Sequence, residues 1–154
     1  MRNIFYSVSI NFKGEVVDGI YKKDSTDEWM FPSNAFILSE TDQNGIITYA
    51  NDIFCEIAGY KLEELIGEPH NIVRHPDMPR IAFKGLWDDL QTKGFWTGIV
   101  KNLRKDRACY WVHATALKRV NSKGEISYLS IRTVPKREDV EACISLYSEL
   151  KSKE

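Results

Sequence analysis

The stretch Pro69-His70-Asn71-Ile72-Val73-Arg74-His75-Pro76-Asp77-Met78-Pro79 gathers side chains that could do chemistry. His70, His75 and Asp77 are metal-ligand types, but the rigid prolines among them oppose convergence on one ion. Arg74 is a permanent cation with five donors in a planar fork; taken alone, it equally suits a surface ion pair. Either histidine can be simply solvated or hydrogen-bonded, and Asp77, two residues before Pro79, can open the helix that follows. Elsewhere, Asn51 and Asn102 each carry a donor and an acceptor, and Asn51 also suits a helix cap. Trp87 and Trp96 are either plain core or the walls of a flat apolar slot. The basic turn Lys101, Arg104, Lys105, Arg107 reads as a solvated hairpin end, or as a place for phosphates or a partner. Catalytic signatures are missing: the sequence has no Gly-rich phosphate loop, no H-E-x-x-H and no G-x-S-x-G.

The elements that must position these groups follow from periodicity. Residues 35–39 and 46–50 are apolar or β-branched runs around the turn Asp42-Gln43-Asn44-Gly45, which predicts a hairpin. Asn51-Asp52 then caps a short helix with Phe54, Ile57 and Ala58 on one face, stopped by Gly59. Residues 61–65 give another turn or two of helix before Gly67 and Pro69. Residues 70–79 read as a fixed loop, neither helix nor strand. Phe83, Leu86, Trp87 and Leu90 form an amphipathic stripe that ends at Gly94. Three longer strands follow, over residues 96–103, 108–120 and 125–134, stopped by Pro135. Residues 136–150 form a terminal helix with Val140, Cys143, Ile144, Tyr147 and Leu150 on one side. Residues 1–33 read as a short hairpin, a cap or an arm, with Phe5, Val8, Ile10 and Phe12 before Gly14, and Val16, Val17, Ile20 and Tyr21 after it. The order predicts an α+β domain, its sheet antiparallel and its short helices enclosing a hollow against one face.

Composition narrows the class. The 154 residues suffice for one domain, and 43% apolar with 28% charged residues is a globular balance. A net charge of −1 gives no basic field for nucleic acid. No apolar run approaches the ~20 residues of a membrane span, and the first ten residues lack a secretion signal, so a cytoplasmic location is expected. Cys55, Cys109 and Cys143 are far apart without a C-x-x-C pair, which excludes a disulfide framework and a zinc knuckle. Cys55 and Cys109 are expected to be buried, reduced thiols.

The succession Thr41-Asp42, Gly45 to Asn51, Phe54, Gly59-Tyr60 and Glu64-Leu65-Ile66-Gly67 resembles the first half of PAS domains. The 69–79 stretch, Trp87, Trp96-Thr97-Gly98-Ile99-Val100-Lys101-Asn102, Tyr110-Trp111-Val112 and Ser130-Ile131-Arg132-Thr133 resemble the aerotaxis-receptor branch of that family. The resemblance covers residues 34–135, leaving 1–33 as an N-terminal extension without counterpart and 136–154 as a C-terminal helix. It implies a five-stranded antiparallel PAS fold holding FAD, whose redox state reports electron flow or oxygen. It also implies a non-enzymatic role, with the signal passed to a methyl-accepting chemotaxis transducer, and a homodimer is compatible with it. By matching motif, the cofactor residues would be Asn51, His70, Arg74, His75, Asp77, Trp87, Trp96 and Asn102. Aerotaxis receptors usually continue into a membrane anchor, a HAMP segment and a signalling helix. A chain ending at Glu154 would therefore be a detached sensor, placed at the inner face of the membrane through its partner, or a piece of a longer receptor. The Asn-Cys-Arg motif of the light-sensing subfamily is missing, since Asp52 follows Asn51 and Cys55 lies in Phe54-Cys55-Glu56.

A flavin needs a flat apolar slot, partners for its polar ring edge and a hold on its phosphates. Trp87 would supply one wall; Trp96, Val100 and Asn102 share one face of their strand. Arg74 at about 4 Å from a reduced ring would contribute roughly 4 kcal/mol at an effective dielectric of 20, and would raise the potential; against the pyrophosphate it would govern affinity instead. Two other readings compete. One is a haem-based gas sensor with His70 or His75 as axial ligand. The other is a ligand-free dimerisation module whose hollow is filled by its own tryptophans.

Overall fold

Alternation of side chains builds the sheet. In β5 (Ile37–Asp42) every second residue, Ile37, Ser39 and Thr41, is buried, as a strand with one covered face requires. The computed structural model describes residues 9–10, 16–17, 19–23 and 26–154. A first small ladder pairs β1 (Ser9–Ile10) with β2 (Val16–Val17), and a second pairs β3 (Tyr21–Lys22) with β4 (Trp29–Met30). The residues expected to flank the first turn, Phe5, Val8, Phe12 and Gly14, lie outside the described residues. After β4 the chain enters the core, where Phe31 is buried and Trp29 packs against it.

The main sheet has the order β6-β5-β9-β8-β7, with every pair antiparallel. Its strands are β5, β6 (Ile47–Ala50), β7 (Phe95–Leu103), β8 (Cys109–Val120) and β9 (Ile126–Thr133). The five-stranded antiparallel sheet is the one expected from the sequence. The hairpin turn before β6 forms as its sequence predicts: Gly45 takes φ +78°, and the Asp42 carboxylate accepts the Asn44 amide at 2.8 Å. Between β6 and β7 the chain crosses one face of the sheet as α1 (Asp52–Ala58), α2 (Leu62–Leu65), a 3-10 turn (His70–Val73) and α3 (Arg80–Thr92). The 70–79 stretch is thus not wholly irregular. Its first four residues close a 3-10 turn, and Arg74 then forms a one-residue bridge with Asn102 of β7.

Helix α1 is the hub of the core, burying Ile53, Phe54, Ile57 and Ala58. Its N-terminus is capped by Asn51, whose Oδ1 accepts the Phe54 amide at 3.2 Å. At its C-terminus Gly59 adopts the left-handed conformation, and the buried Arg104 guanidinium donates to the carbonyls of Ile57 and Glu56. Arg104 also pairs with Asp106 and lies 3.9 Å from the centroid of the Trp29 ring. One member of the basic turn therefore caps a helix, where a cation meets unsatisfied carbonyls and the negative end of the helix dipole.

The outer face of the sheet receives α4 (Arg137–Ser152). Val140 packs with Ile99 and Trp111, the Tyr147 ring stacks on Trp111 at 6.5 Å, and the Tyr147 hydroxyl donates to the Ile99 carbonyl at 2.6 Å. Ile144, from the same predicted stripe, stays 45% exposed. The three cysteines are free thiols but only partly buried; desolvation raises the pKa of Cys55 and Cys109. Among the described residues, no helix is long and apolar enough to cross a membrane.

Arg104→Met would leave two α1 carbonyls without their donor while keeping the aliphatic packing on Trp29. Loss of about 1–3 kcal/mol in urea unfolding is expected; an unchanged midpoint would show that water replaces the cap without cost.

Candidate functional site

A hollow lies between the inner sheet face and the crossing helices because the strands place small residues there. Across three strands the inward row runs Gly98, Ala114 and Arg132, and the next runs Trp96, Ala116 and Ser130, continuing to Ser39 on β5. Between the large Trp96 and Arg132, the small Gly98, Ala114, Ser130 and Ser39 leave space on the inner face, and a cavity of about 290 Å³ remains. Its apolar walls come from Phe83, Leu86, Trp87 and Leu90 of α3 and from Trp96, Val100 and Val112 of the sheet. Of the α3 stripe only Leu90 is fully buried, packed on Ala116 and Tyr128 of the sheet, while Phe83, Leu86 and Trp87 turn towards the hollow. Trp87 sits edge-on to Tyr128 at 5.1 Å. The Trp96 ring lies over Gly98 so closely that a Cβ there would meet it at 2.5 Å; glycine at 98 lets the indole lie down.

The polar end of the hollow is built around Arg132, which is 2% exposed. One Nη donates to the Ser39 hydroxyl at 2.7 Å, the guanidinium stacks 4.3 Å from the Phe54 centroid, and its Nε has no hydrogen-bond partner among the described residues. Ser39 Oγ also lies 3.0 Å from His70 Nε2. Since arginine can only donate, the serine accepts from Arg132, and its second lone pair and its own proton let it pair with either tautomer of a neutral His70. Burial above all, with the Arg132 charge adding, lowers the His70 pKa to about 3. Burial likewise lowers the Arg132 pKa to about 10, so it remains charged at neutral pH. Among the described residues no Asp or Glu lines the hollow. A buried cation without a counter-charge costs several kcal/mol, only partly offset by the Phe54 ring.

Arg74 also lines the hollow, partly exposed, with its guanidinium 3.9 Å from the Phe83 centroid. Asn102 is buried beside Tyr110, whose hydroxyl makes no hydrogen bond of normal geometry and whose pKa burial raises to about 12.

Of the eight residues singled out in the sequence, the structure brings five to the hollow: His70, Arg74, Trp87, Trp96 and Asn102. The other three lie elsewhere. Asn51 spends its side chain on the backbone, accepting from Phe54 and Leu38 and donating to the Phe36 carbonyl at 2.7 Å. His75 turns away and accepts the Asp77 amide through Nδ1 at 3.1 Å; burial first, and the Lys101 charge next, lower its pKa. Asp77 does not cap α3, whose cap position is Pro79. Its carboxylate pairs with Lys101 at 2.8 Å, which lowers its pKa, beside a cleft between the sheet and α4. Ser39 and Arg132 were missed. The signal for Arg132 was its place in β9, in phase with Ser130 and Tyr128 on the inward side. Among the described residues no cluster of three or more His, Cys, Asp and Glu could hold a metal.

A family profile described as the PAS fold matches residues 47–131. The aerotaxis receptor of Escherichia coli (strain K12) is 49% identical over 115 residues, 74% of this chain and 22% of the receptor. The nitrogen fixation regulatory protein of Klebsiella pneumoniae is 30% identical over 91 residues, 59% of this chain and 18% of that protein. The chain thus spans about a fifth of the length of these relatives. Among solved structures, a PAS domain from Colwellia psychrerythraea superposes with a TM-score of 0.60 at 23% identity, covering 65% of this chain and 86% of that one.

The low His70 pKa fixes a sign for stability. The folded protein keeps His70 neutral while the unfolded chain takes up a proton below about pH 6.5. Its contribution is therefore full above pH 6.5 and falls towards pH 3. The unfolding free energy of the wild type should drop relative to His70→Gln by about 1 kcal/mol per pH unit between pH 6 and 4. Parallel curves would mean that His70 titrates normally.

Proposed function

The chain belongs to the PAS family, and from that membership we propose that it is a redox sensor whose hollow holds FAD. The observation that carries this reading is a cavity with flat aromatic walls, two arginines and, among the described residues, no acid. A flavin offers a planar apolar ring, a polar ring edge rich in acceptors, and phosphates. Trp87, Trp96 and Phe83 supply flat apolar surface, and the buried Arg132 Nε, without a partner among the described residues, supplies a donor. The volume, about 290 Å³, lies at the lower edge of the roughly 300–1,000 Å³ usual for ligand sites. It suits a ring system rather than a whole dinucleotide, whose remainder would extend outward.

When bound, the flavin supplies reversible electron transfer; the chain supplies binding and electrostatics. The Arg132 charge, desolvated and uncompensated, favours added negative charge beside it and so favours reduction. His70 stays neutral near pH 7 and, through Ser39, holds the guanidinium in place. The haem alternative has less support. His75 does not line the hollow, and His70 Nε2 is engaged by the Ser39 hydroxyl. The ligand-free alternative is opposed by the open volume, since the tryptophans line the hollow without filling it.

The function that follows is energy or oxygen sensing in the cytoplasm by conformational change, with no turnover of substrate. The 49% identical relative named an aerotaxis receptor supports a methyl-accepting chemotaxis transducer as the output partner. Signalling through a homodimer fits the same reading. Freshly purified protein is expected to be yellow, with flavin absorption bleached by dithionite and restored by air. A Soret band would replace the flavin by haem, and a colourless protein unchanged after reconstitution with FAD would end the flavin reading.

A further inference from the structure

The two arginines of the hollow occupy different depths. Arg132 sits on β9 between Ile37 of β5 and Ala114 of β8, at the centre of the sheet, and is 2% exposed. Arg74 follows the 3-10 turn, bridges to Asn102 on the edge strand β7, and is partly exposed. Each guanidinium has one face on a phenyl ring, Phe54 for Arg132 and Phe83 for Arg74, which leaves in-plane N–H groups to present. Neither has a carboxylate partner among the described residues. A phosphate is strongly hydrated and resists complete burial, whereas the acceptors of a ring edge lose much less on leaving water. Depth therefore sorts the two ligand chemistries.

We infer that the arginines divide the ligand between them: Arg132 meets the electron-rich edge of the ring, and Arg74, at the rim, takes the phosphates. The inference rests on the flavin reading above. It also makes Arg132 a residue that serves binding at the expense of the empty protein, because its charge is unpaired until a ligand arrives.

Dissociation constants of riboflavin, FMN and FAD, measured by fluorescence quenching on the full chain, test the division. Arg74→Met should weaken FMN and FAD by about tenfold or more, the weight of one charge-assisted hydrogen bond, and leave riboflavin within about twofold. Arg132→Met should weaken all three by a common factor, lower the reduction potential of the bound flavin, and raise the unfolding midpoint of the ligand-free protein. Should Arg132→Met not fold, Arg132→Lys, which keeps the charge without the planar fork, should show the same common loss. Riboflavin lost equally with Arg74→Met, or a loss confined to FMN and FAD with Arg132→Met, would overturn the assignment while leaving the flavin reading intact. Wild-type protein that takes up none of the three would remove the flavin reading instead. The ligand-free comparison then decides Arg132: a raised midpoint keeps it as a charge held for a ligand, and an unchanged or lowered one removes it.

Discussion

The site is organised by one cation buried in the middle of the sheet. Arg132 reaches the Ser39 hydroxyl on β5, and Ser39 reaches His70 on the 3-10 turn, so one chain of hydrogen bonds ties β9, β5 and the crossing segment together. The Phe54 ring of α1 closes the arrangement from below. A neutral residue in place of Arg132 would remove the donor that anchors the Ser39 hydroxyl, and with it the link from β9 to His70.

Room for a ligand is a matter of what the sheet omits. Gly98, Ala114, Ala116, Ser39 and Ser130 are side by side on the inner face, and helix α3 cannot settle onto them without leaving its own stripe of Phe83, Leu86 and Trp87 in conflict with Trp96. The rest of the core is close-packed around α1, with Phe54, Ile57, Leu65 and Tyr110 almost completely buried. The cavity borders this core directly, sharing Val73, Val100, Val112 and Ala114 with it.

Local rules made much of this legible. Asn51, Gly59, the Asp42–Gly45 turn and the α3 stripe all behave as their types and spacing dictate. What could not be read was the direction of polar side chains whose partners are distant in sequence. The partners of Asn51, Leu38 and Phe36, lie 13 and 15 residues upstream, and that of Asp77, Lys101, lies 24 residues downstream. His70 and His75, on one short segment, point to different sides because the 3-10 turn ends between them. Arg132 was hidden by the strength of the ordinary rule that arginine faces water; the even spacing that puts Tyr128, Ser130 and Arg132 on the side of the hollow was the better guide.

The strand β7 is one backbone thick. Val100 borders the hollow on one side, while the carbonyl of the adjacent Ile99 holds the Tyr147 hydroxyl of α4 on the other. No intermediate layer separates the cavity from the terminal helix along this strand. A tilt or slide of β7 by a fraction of an ångström, such as a change in how Trp96 or Val100 packs would require, alters the acceptor on which α4 hangs. The domain thereby has a short lever between its interior and its C-terminal helix, with the peptide unit of residues 99–100 as the fulcrum.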